Sequence, residues 1–294
     1  MAKWPTENSP QKKLAYQRSL DMFASYARLL APPIETIRIP FEGKEIVAYL
    51  RLPEKVRPAP LVFKISGLDS RKEDAMQEVD LLLKAGIGVF GIDMPGTGQA
   101  PIKIDVGAER MFSRALDYLA TRRDVDAKRI VVQGGSWSGY WAALLAYTER
   151  ERIRGAVYHS GPVHGYFQPE WQKKALLSLE YLFDLFPARA GNYGVQTMDE
   201  FLAYGPRMSL QTRGFIGKPS APMLLLGGEN DTQVPIDDLY LLLKSGMAKE
   251  AWVNPQGGHM GRAEGWPQPQ IVSRIVVPWM VRAINGQVPP STAR

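Results

Sequence analysis

Apolar runs and amphipathic stretches alternate along this chain at the spacing of strands and helices. Short β-branched or apolar runs at 61–65, 87–92, 129–132, 155–159, 223–226 and 251–254 predict buried strands. Between and after them, 75–84, 109–122, 142–147 and 271–284 predict helices. Ahead of this series, 35–39 and 44–51 predict an antiparallel hairpin that turns at Glu42-Gly43, and the proline-rich segment 53–60 connects it onward. Residues 11–30 form an amphipathic helix with Leu14, Leu20, Phe23, Ala27 and Leu30 on one side, stopped by Ala31-Pro32-Pro33. Two readings stay open for that helix: a surface helix packed on the core, or part of a lid. The alternation as a whole implies a mostly parallel, doubly wound sheet of the α/β class.

The pattern changes after the sixth strand. Residues 162–215 are rich in aromatics and helix formers, among them Tyr166, Phe167, Trp171, the run 176–186, Tyr193 and 201–204. No strand alternates there, and the segment is too long for a loop, so it predicts an inserted helical cap. The expected organisation is a helical segment over 1–33 that joins the cap, an α/β core over 34–161 and 216–294, and the cap over 162–215. There is no internal repeat or low-complexity tract.

Composition narrows the class. A chain of 294 residues, 45% hydrophobic, suffices for one large α/β domain with an insertion. No run approaches the roughly 20 apolar residues that span a bilayer. The first eight residues lack the apolar core and cleavage site of a secretory signal, so a cytoplasmic protein without a membrane partner is expected. Cysteine is absent, which removes disulfides, thiolate metal sites and cysteine nucleophiles. The net charge of +6 is modest and spread out, and pairs such as Arg122-Arg123 and Lys173-Lys174 suit solvated faces better than a nucleic-acid stripe.

The stretch 129–141 carries the chemistry. A strand ends in Gly134-Gly135-Ser136-Trp137-Ser138-Gly139, and a helix follows, the layout of a nucleophile elbow. Residues two positions either side of the nucleophile must be small. Gly134 and Ser138 satisfy this for Ser136, whereas Tyr140 excludes Ser138. Ser138 stands where glycine is usual. A serine needs an imidazole base and a carboxylate that orients the base, in the chain order Ser, acid, His. Only His159, His164 and His259 exist. His259, in a glycine-rich loop after the last strand, is the expected base. Asp231, after the strand at 223–226, is the expected acid, with Glu229 as the alternative. His159 lies at a strand end and reads as a core histidine. His164 opens the insertion, where it either lines the pocket or sits exposed at a hinge. The Trp137 amide and the amide of Leu68, which follows the glycine turn after strand 61–65, are the expected oxyanion donors. Asp93 reads as a structural residue of its Gly/Pro loop. Three scattered histidines without metal-ligand spacing predict no metal site.

Gly67-Leu68-Asp69-Ser70, Lys72-Glu73, Asp93-Met94-Pro95-Gly96, the elbow and Gly228-Glu229-Asn230-Asp231 with Val234-Pro235 together resemble the α/β-hydrolases of the fermentation-respiration switch protein type. That group includes 2,6-dihydroxypseudooxynicotine hydrolase and the fungal yellowish-green pigment hydrolases. The resemblance runs from about residue 35 onward. It implies a serine hydrolase with a helical cap partly built from the N-terminal region, cleaving esters or carbon–carbon bonds next to a ketone without cofactor. It also makes Glu170 the candidate for an additional carboxylate near the nucleophile, although an acidic residue starting a helix explains Glu170 equally well. Tyr166 and Trp171 join His164 and Glu170 as candidate substrate contacts. The expected function is hydrolysis of a small carbonyl substrate, an ester or thioester of aromatic or polyketide character, through an acyl-enzyme. Carbon–carbon bond hydrolysis and a noncatalytic binding protein are the alternatives. Monomer and homodimer both stay open.

Overall fold

The computed structural model describes residues 9–77, 79–177, 185–246 and 249–288. The first eight residues and the middle of the 176–186 run lie outside the described residues. Helix α1 (Pro10–Leu29) starts at an N-cap where the Ser9 hydroxyl accepts from the Lys12 amide at 3.1 Å. Strands β1 (Glu35–Phe41) and β2 (Lys44–Arg51) form the hairpin, and Glu42 and Gly43 take φ of 48° and 73°. Two successive left-handed residues match the twist of paired strands, and Gly43 adopts that geometry without a Cβ penalty.

Then follow β3 (Ala59–Ile65), α2 (Lys72–Ala75), α3 (Asp80–Lys84), β4 (Gly88–Ile92), α4 (Arg110–Thr121), β5 (Val125–Gly135), α5 (Ser138–Thr148) and β6 (Gly155–His159). After β6 come a 3₁₀ turn (Gly165–Phe167), α6 (Pro169–Leu176), α7 (Leu185–Tyr193) and α8 (Met198–Met208). The sheet resumes with β7 (Met223–Gly228), then α9 (Ile236–Lys244) and β8 (Glu250–Asn254). The chain ends in α10 (Gln268–Ile271), a π-helical turn (Val272–Val276) and α11 (Val277–Ile284).

The eight strands order as β1-β2-β4-β3-β5-β6-β7-β8, antiparallel through β4 and parallel from there to β8. The connection reverses direction between β3 and β5, and open α/β sheets bind ligands at that switch point beyond the strands' carboxyl ends.

Each face of the sheet carries its own core. Phe63, Phe90, Phe112, Trp141 and Tyr158 pack on one face, joined by Tyr166, Phe167, Tyr193 and Phe201 of the segment between β6 and β7. Val62, Val131, Val157, Leu82, Trp279 and Met280 pack on the other, together with Ala27 of α1. Strand alternation produces this division.

Three elements differ from the sequence pattern. The helix expected over 75–84 is two short helices, because the Lys72 amide is drawn to the Asp93 carboxylate and the chain restarts only at Asp80. Helix α9 is absent from the pattern reading; Asp238, Leu239 and Leu242 are buried, and Ile236, Tyr240, Leu241 and Leu243 also pack on the core, so no single apolar stripe marks it. The last helix begins three residues early and includes the π turn.

Candidate active site

The elbow begins with backbone geometry. Ser136 has φ of 55°, a left-handed conformation that a non-glycine residue holds only under local constraint. Its amide donates to the His159 carbonyl at 2.8 Å. A Cβ at Gly134 would run into the Ser138 carbonyl oxygen, and one at Gly139 would lie 2.8 Å from the Gly161 Cα. The small residues are therefore steric requirements of the turn. Ser138 is fully buried; its hydroxyl accepts from the Gly135 amide at 2.9 Å and lies 3.1 Å from the Ile65 carbonyl. Here a serine does what glycine does elsewhere and also ties the elbow to β3.

The structure brings Ser136, His259 and Asp231 into one hydrogen-bonded line. His259 Nε2 stands 2.8 Å from Ser136 Oγ, and Nδ1 stands 2.9 and 3.1 Å from the two Asp231 oxygens. A carboxylate only accepts, so Nδ1 carries the proton and Nε2 presents its lone pair to the hydroxyl. Asp231 is held in turn, its Oδ1 accepting from the Gln233 and Val234 amides at 2.8 and 2.9 Å. Glu229 is exposed and accepts from the Tyr240 hydroxyl instead, away from the imidazole.

Leu68 and Trp137 sit at the carboxyl ends of β3 and β5, on either side of the switch point. A Cβ on Gly67 would lie 3.1 Å from the Gly135 carbonyl oxygen, so glycine lets the two turns approach. Among the described residues, no acceptor takes the Leu68 or Trp137 amide. The Trp137 ring is buried against Tyr140, Trp141, Phe167 and Tyr193.

The loop that carries Leu68 is fastened at both ends to Asp93. The Asp93 carboxylate accepts from the Lys72 amide at 2.8 Å, the Gln99 amide at 2.9 Å and the Ser66 hydroxyl at 3.4 Å. Lys72 Nζ is fully buried, 3.1 Å from Asp93 and 2.9 Å from Glu73, with the Tyr16 hydroxyl of α1 at 3.5 Å. Burial and these carboxylates push the Tyr16 and Tyr49 hydroxyls well above the ordinary tyrosine range.

His159 does more than fill the core. Its carbonyl holds the Ser136 amide, and its Nε2–H donates to the Met260 carbonyl at 2.8 Å, next to His259. Met260 has φ of 62°, so that loop is held in a sparsely populated geometry. Burial pushes the His159 imidazole down from 6.5 to about 4. The unfolded chain takes up this proton near pH 6.5 and the folded chain only near pH 4. Stability from this group is complete above pH 6.5 and is lost as pH falls toward 4, by about 3 kcal/mol in all. Urea unfolding at pH 7 and pH 4.5 is expected to show this loss in the wild type and a smaller one in His159→Gln. An identical acid-side loss in both proteins would remove His159 from the account.

None of His164, Tyr166, Glu170 and Trp171 is among the residues lining the cavity of about 360 Å³ that Ser136 and His259 open into. Tyr166 is buried in the core, and Glu170 is exposed at the first turn of α6. His164 Nδ1 pairs with the Ser209 hydroxyl at 2.8 Å. Trp171 Nε1 donates to the Gln233 carbonyl at 3.1 Å, which links the insertion to the acid loop. Asp238 of α9 anchors the start of the insertion, its carboxylate accepting from the Val163, His164, Gly165 and Tyr166 amides at 2.6 to 3.2 Å. An acidic residue in the first turn of a helix was the only sequence signal for it. Among the described residues, no three His, Asp or Glu side chains converge on a metal site, and no helix is long and apolar enough to cross a membrane.

Sheet order, switch-point position and elbow define an α/β-hydrolase fold. The crystal structure of 2,6-dihydroxy-pseudo-oxynicotine hydrolase aligns over 97% of this chain and 78% of its own length, with a TM-score of 0.82 and 21% identity. AbyA5 aligns over 97% and 84%, with a TM-score of 0.78 and 21% identity. Residues 12–255 match the family described as esterase FrsA-like, and the chain belongs to that family. Esterase FrsA of Vibrio cholerae (serotype O1) is 29% identical over 236 residues, covering 76% of this chain and 55% of the relative. Esterase FrsA of Vibrio vulnificus is 30% identical over 213 residues, covering 70% and 50%. The chain spans about half the length of these curated relatives. The 2,6-dihydropseudooxynicotine hydrolase of Paenarthrobacter nicotinovorans is 31% identical over 134 residues, 45% of this chain and 36% of the relative.

Proposed function

We propose that this protein is a serine hydrolase that cleaves a carboxylic ester or thioester through an acyl-enzyme. The observation that carries the reading is the line Ser136 Oγ, His259 Nε2, Nδ1, Asp231, with both contacts inside 3 Å. His259 Nε2 takes the Ser136 proton as Oγ attacks the carbonyl carbon. The Leu68 and Trp137 amides receive the oxyanion, each worth about 3 to 4 kcal/mol in comparable sites. His259 then passes its proton to the leaving group. Water, deprotonated by the same imidazole, releases the acid and restores Ser136. Membership of an esterase family supports this reading. The insertion serves as a cap over the sheet, with α1 as a second wall beside the loop that carries Leu68.

A second reading uses the same three residues to hydrolyse a carbon–carbon bond next to a ketone. The match to 2,6-dihydropseudooxynicotine hydrolase favours keeping it. In the decisive experiment, p-nitrophenyl esters are mixed rapidly with the protein, and the protein is treated in parallel with a fluorophosphonate and mapped by mass spectrometry. The expected results are a burst of p-nitrophenol equal to the protein present and a phosphonyl group on Ser136. No burst and no labelled serine would return the chain to the noncatalytic reading. Turnover of an aryl 1,3-diketone without ester turnover would select the carbon–carbon reading.

A further inference from the structure

The cavity that Ser136 and His259 open into extends into the layer opposite the insertion. Strand alternation sets that direction. Val62 of β3 and Val131 of β5 face the core that contains Leu82 and Met280. Lys64 and Gln133, two positions further along the same strands, pair in register and face the same way. Both are half-buried, and both line the cavity with Leu82 of α3 and Val272, Val277 and Met280 of the C-terminal helix. Among the described residues, the insertion's aromatics belong to the other face.

A packed interior leaves few voids larger than a water, and a carboxamide facing one without a partner costs free energy. Here about 360 Å³ stays open, and the Gln133 carboxamide has no hydrogen-bond partner among the described residues. The wall is irregular as well. The π turn Val272–Val276 inserts a residue into the helix, and Val272 and Val277 bracket it on the cavity side. Such turns occur frequently where helices line functional sites.

We propose, on the reading that Ser136 is acylated, that this cleft receives the acyl half of the substrate, and that the acyl chain carries an oxygen acceptor for the Gln133 carboxamide. Gln133 lies three positions before Ser136, roughly 10 Å at about 3.3 Å per strand residue. The acceptor therefore lies about five or six atoms from the scissile carbonyl, a distance within reach of a Gln side chain. Leu82, Val277 and Met280 take the methylene groups. Keto-acyl and carboxy-acyl chains share this chemistry, and Lys64 beside Gln133 distinguishes them.

The test compares kcat/KM for p-nitrophenyl hexanoate, p-nitrophenyl 5-oxohexanoate and mono-p-nitrophenyl adipate, with p-nitrophenyl acetate as the short reference. The full chain is used as wild type, Gln133→Leu, Lys64→Met and Met280→Trp. At least one oxygenated ester is expected to exceed the hexanoate about tenfold, the scale of one hydrogen bond to a well-placed acceptor. In Gln133→Leu that ratio is expected to fall to about one, a readout from which any general loss of activity cancels. An advantage of the adipate that Lys64→Met also cancels assigns a carboxylate; an advantage of the keto ester that survives Lys64→Met assigns a ketone. Met280→Trp is expected to shift the preference from hexanoate toward acetate. Equal rates for all three esters in the wild type, or a ratio unchanged in Gln133→Leu, would overturn the proposal while leaving the serine-hydrolase reading intact. Failure of that reading looks different: p-nitrophenyl acetate would not turn over either.

Discussion

Ser136→Ala is expected to lower kcat for p-nitrophenyl ester hydrolysis by about four to six orders of magnitude, with little change in the thermal midpoint. In the proposed mechanism this hydroxyl forms the acyl bond, and no other group at the elbow replaces it. Ser138 is the relevant comparison because it lies two residues away. Its hydroxyl is fully buried and committed to Gly135 and Ile65, so it cannot meet a substrate. Ser138→Ala leaves a buried amide without its acceptor and is expected to cost about 1 to 3 kcal/mol of stability. Measuring kcat and the unfolding midpoint for both variants separates the roles. The assignment fails if Ser138→Ala abolishes the burst while Ser136→Ala retains it.

Asp231→Asn is expected to lower kcat by about four orders of magnitude. The mechanism is specific to the geometry. Two amides, from Gln233 and Val234, hold Oδ1, so the asparagine carboxamide keeps its place and turns its nitrogen toward His259 Nδ1. The imidazole then protonates Nε2 instead, and the lone pair that would accept the Ser136 proton is gone. Glu229→Gln, which removes the exposed carboxylate bonded to Tyr240, is expected to leave kcat within about threefold, since a surface hydrogen bond is worth little. Steady-state kinetics on the pair decide the acid. A larger loss in Glu229→Gln than in Asp231→Asn would mean that the loop rearranges when substrate binds.

How far the sequence reaches is clearest at particular residues. The hairpin turn at Glu42-Gly43 and the eight strands were legible because left-handed turn chemistry and hydrophobic alternation are local. The elbow was legible for a related reason. Gly134 and Gly139 are small because atoms only a few residues away, or just across one strand, would occupy the space of a side chain. The helix over 75–84 was misread because its break depends on Asp93, a residue on another strand. Helix α9 was missed because its apolar residues run without a break from Leu239 to Leu243, a short run that does not separate helix from strand, and because Asp238 is satisfied by amides more than seventy positions earlier.

By itself, then, the sequence determined the alternation of strands and helices, the small residues of the nucleophile turn and the chain order of serine, carboxylate and histidine. Those are consequences of backbone sterics and short-range periodicity, which act over a few residues. Tertiary structure alone set the Asp231 carboxylate, not Glu229, against His259 Nδ1, gave the buried His159 its bond to Met260 101 positions away and turned the cavity beside Ser136 toward Gln133. Each of these depends on which strands lie side by side and which face a side chain takes, so no local pattern encodes it.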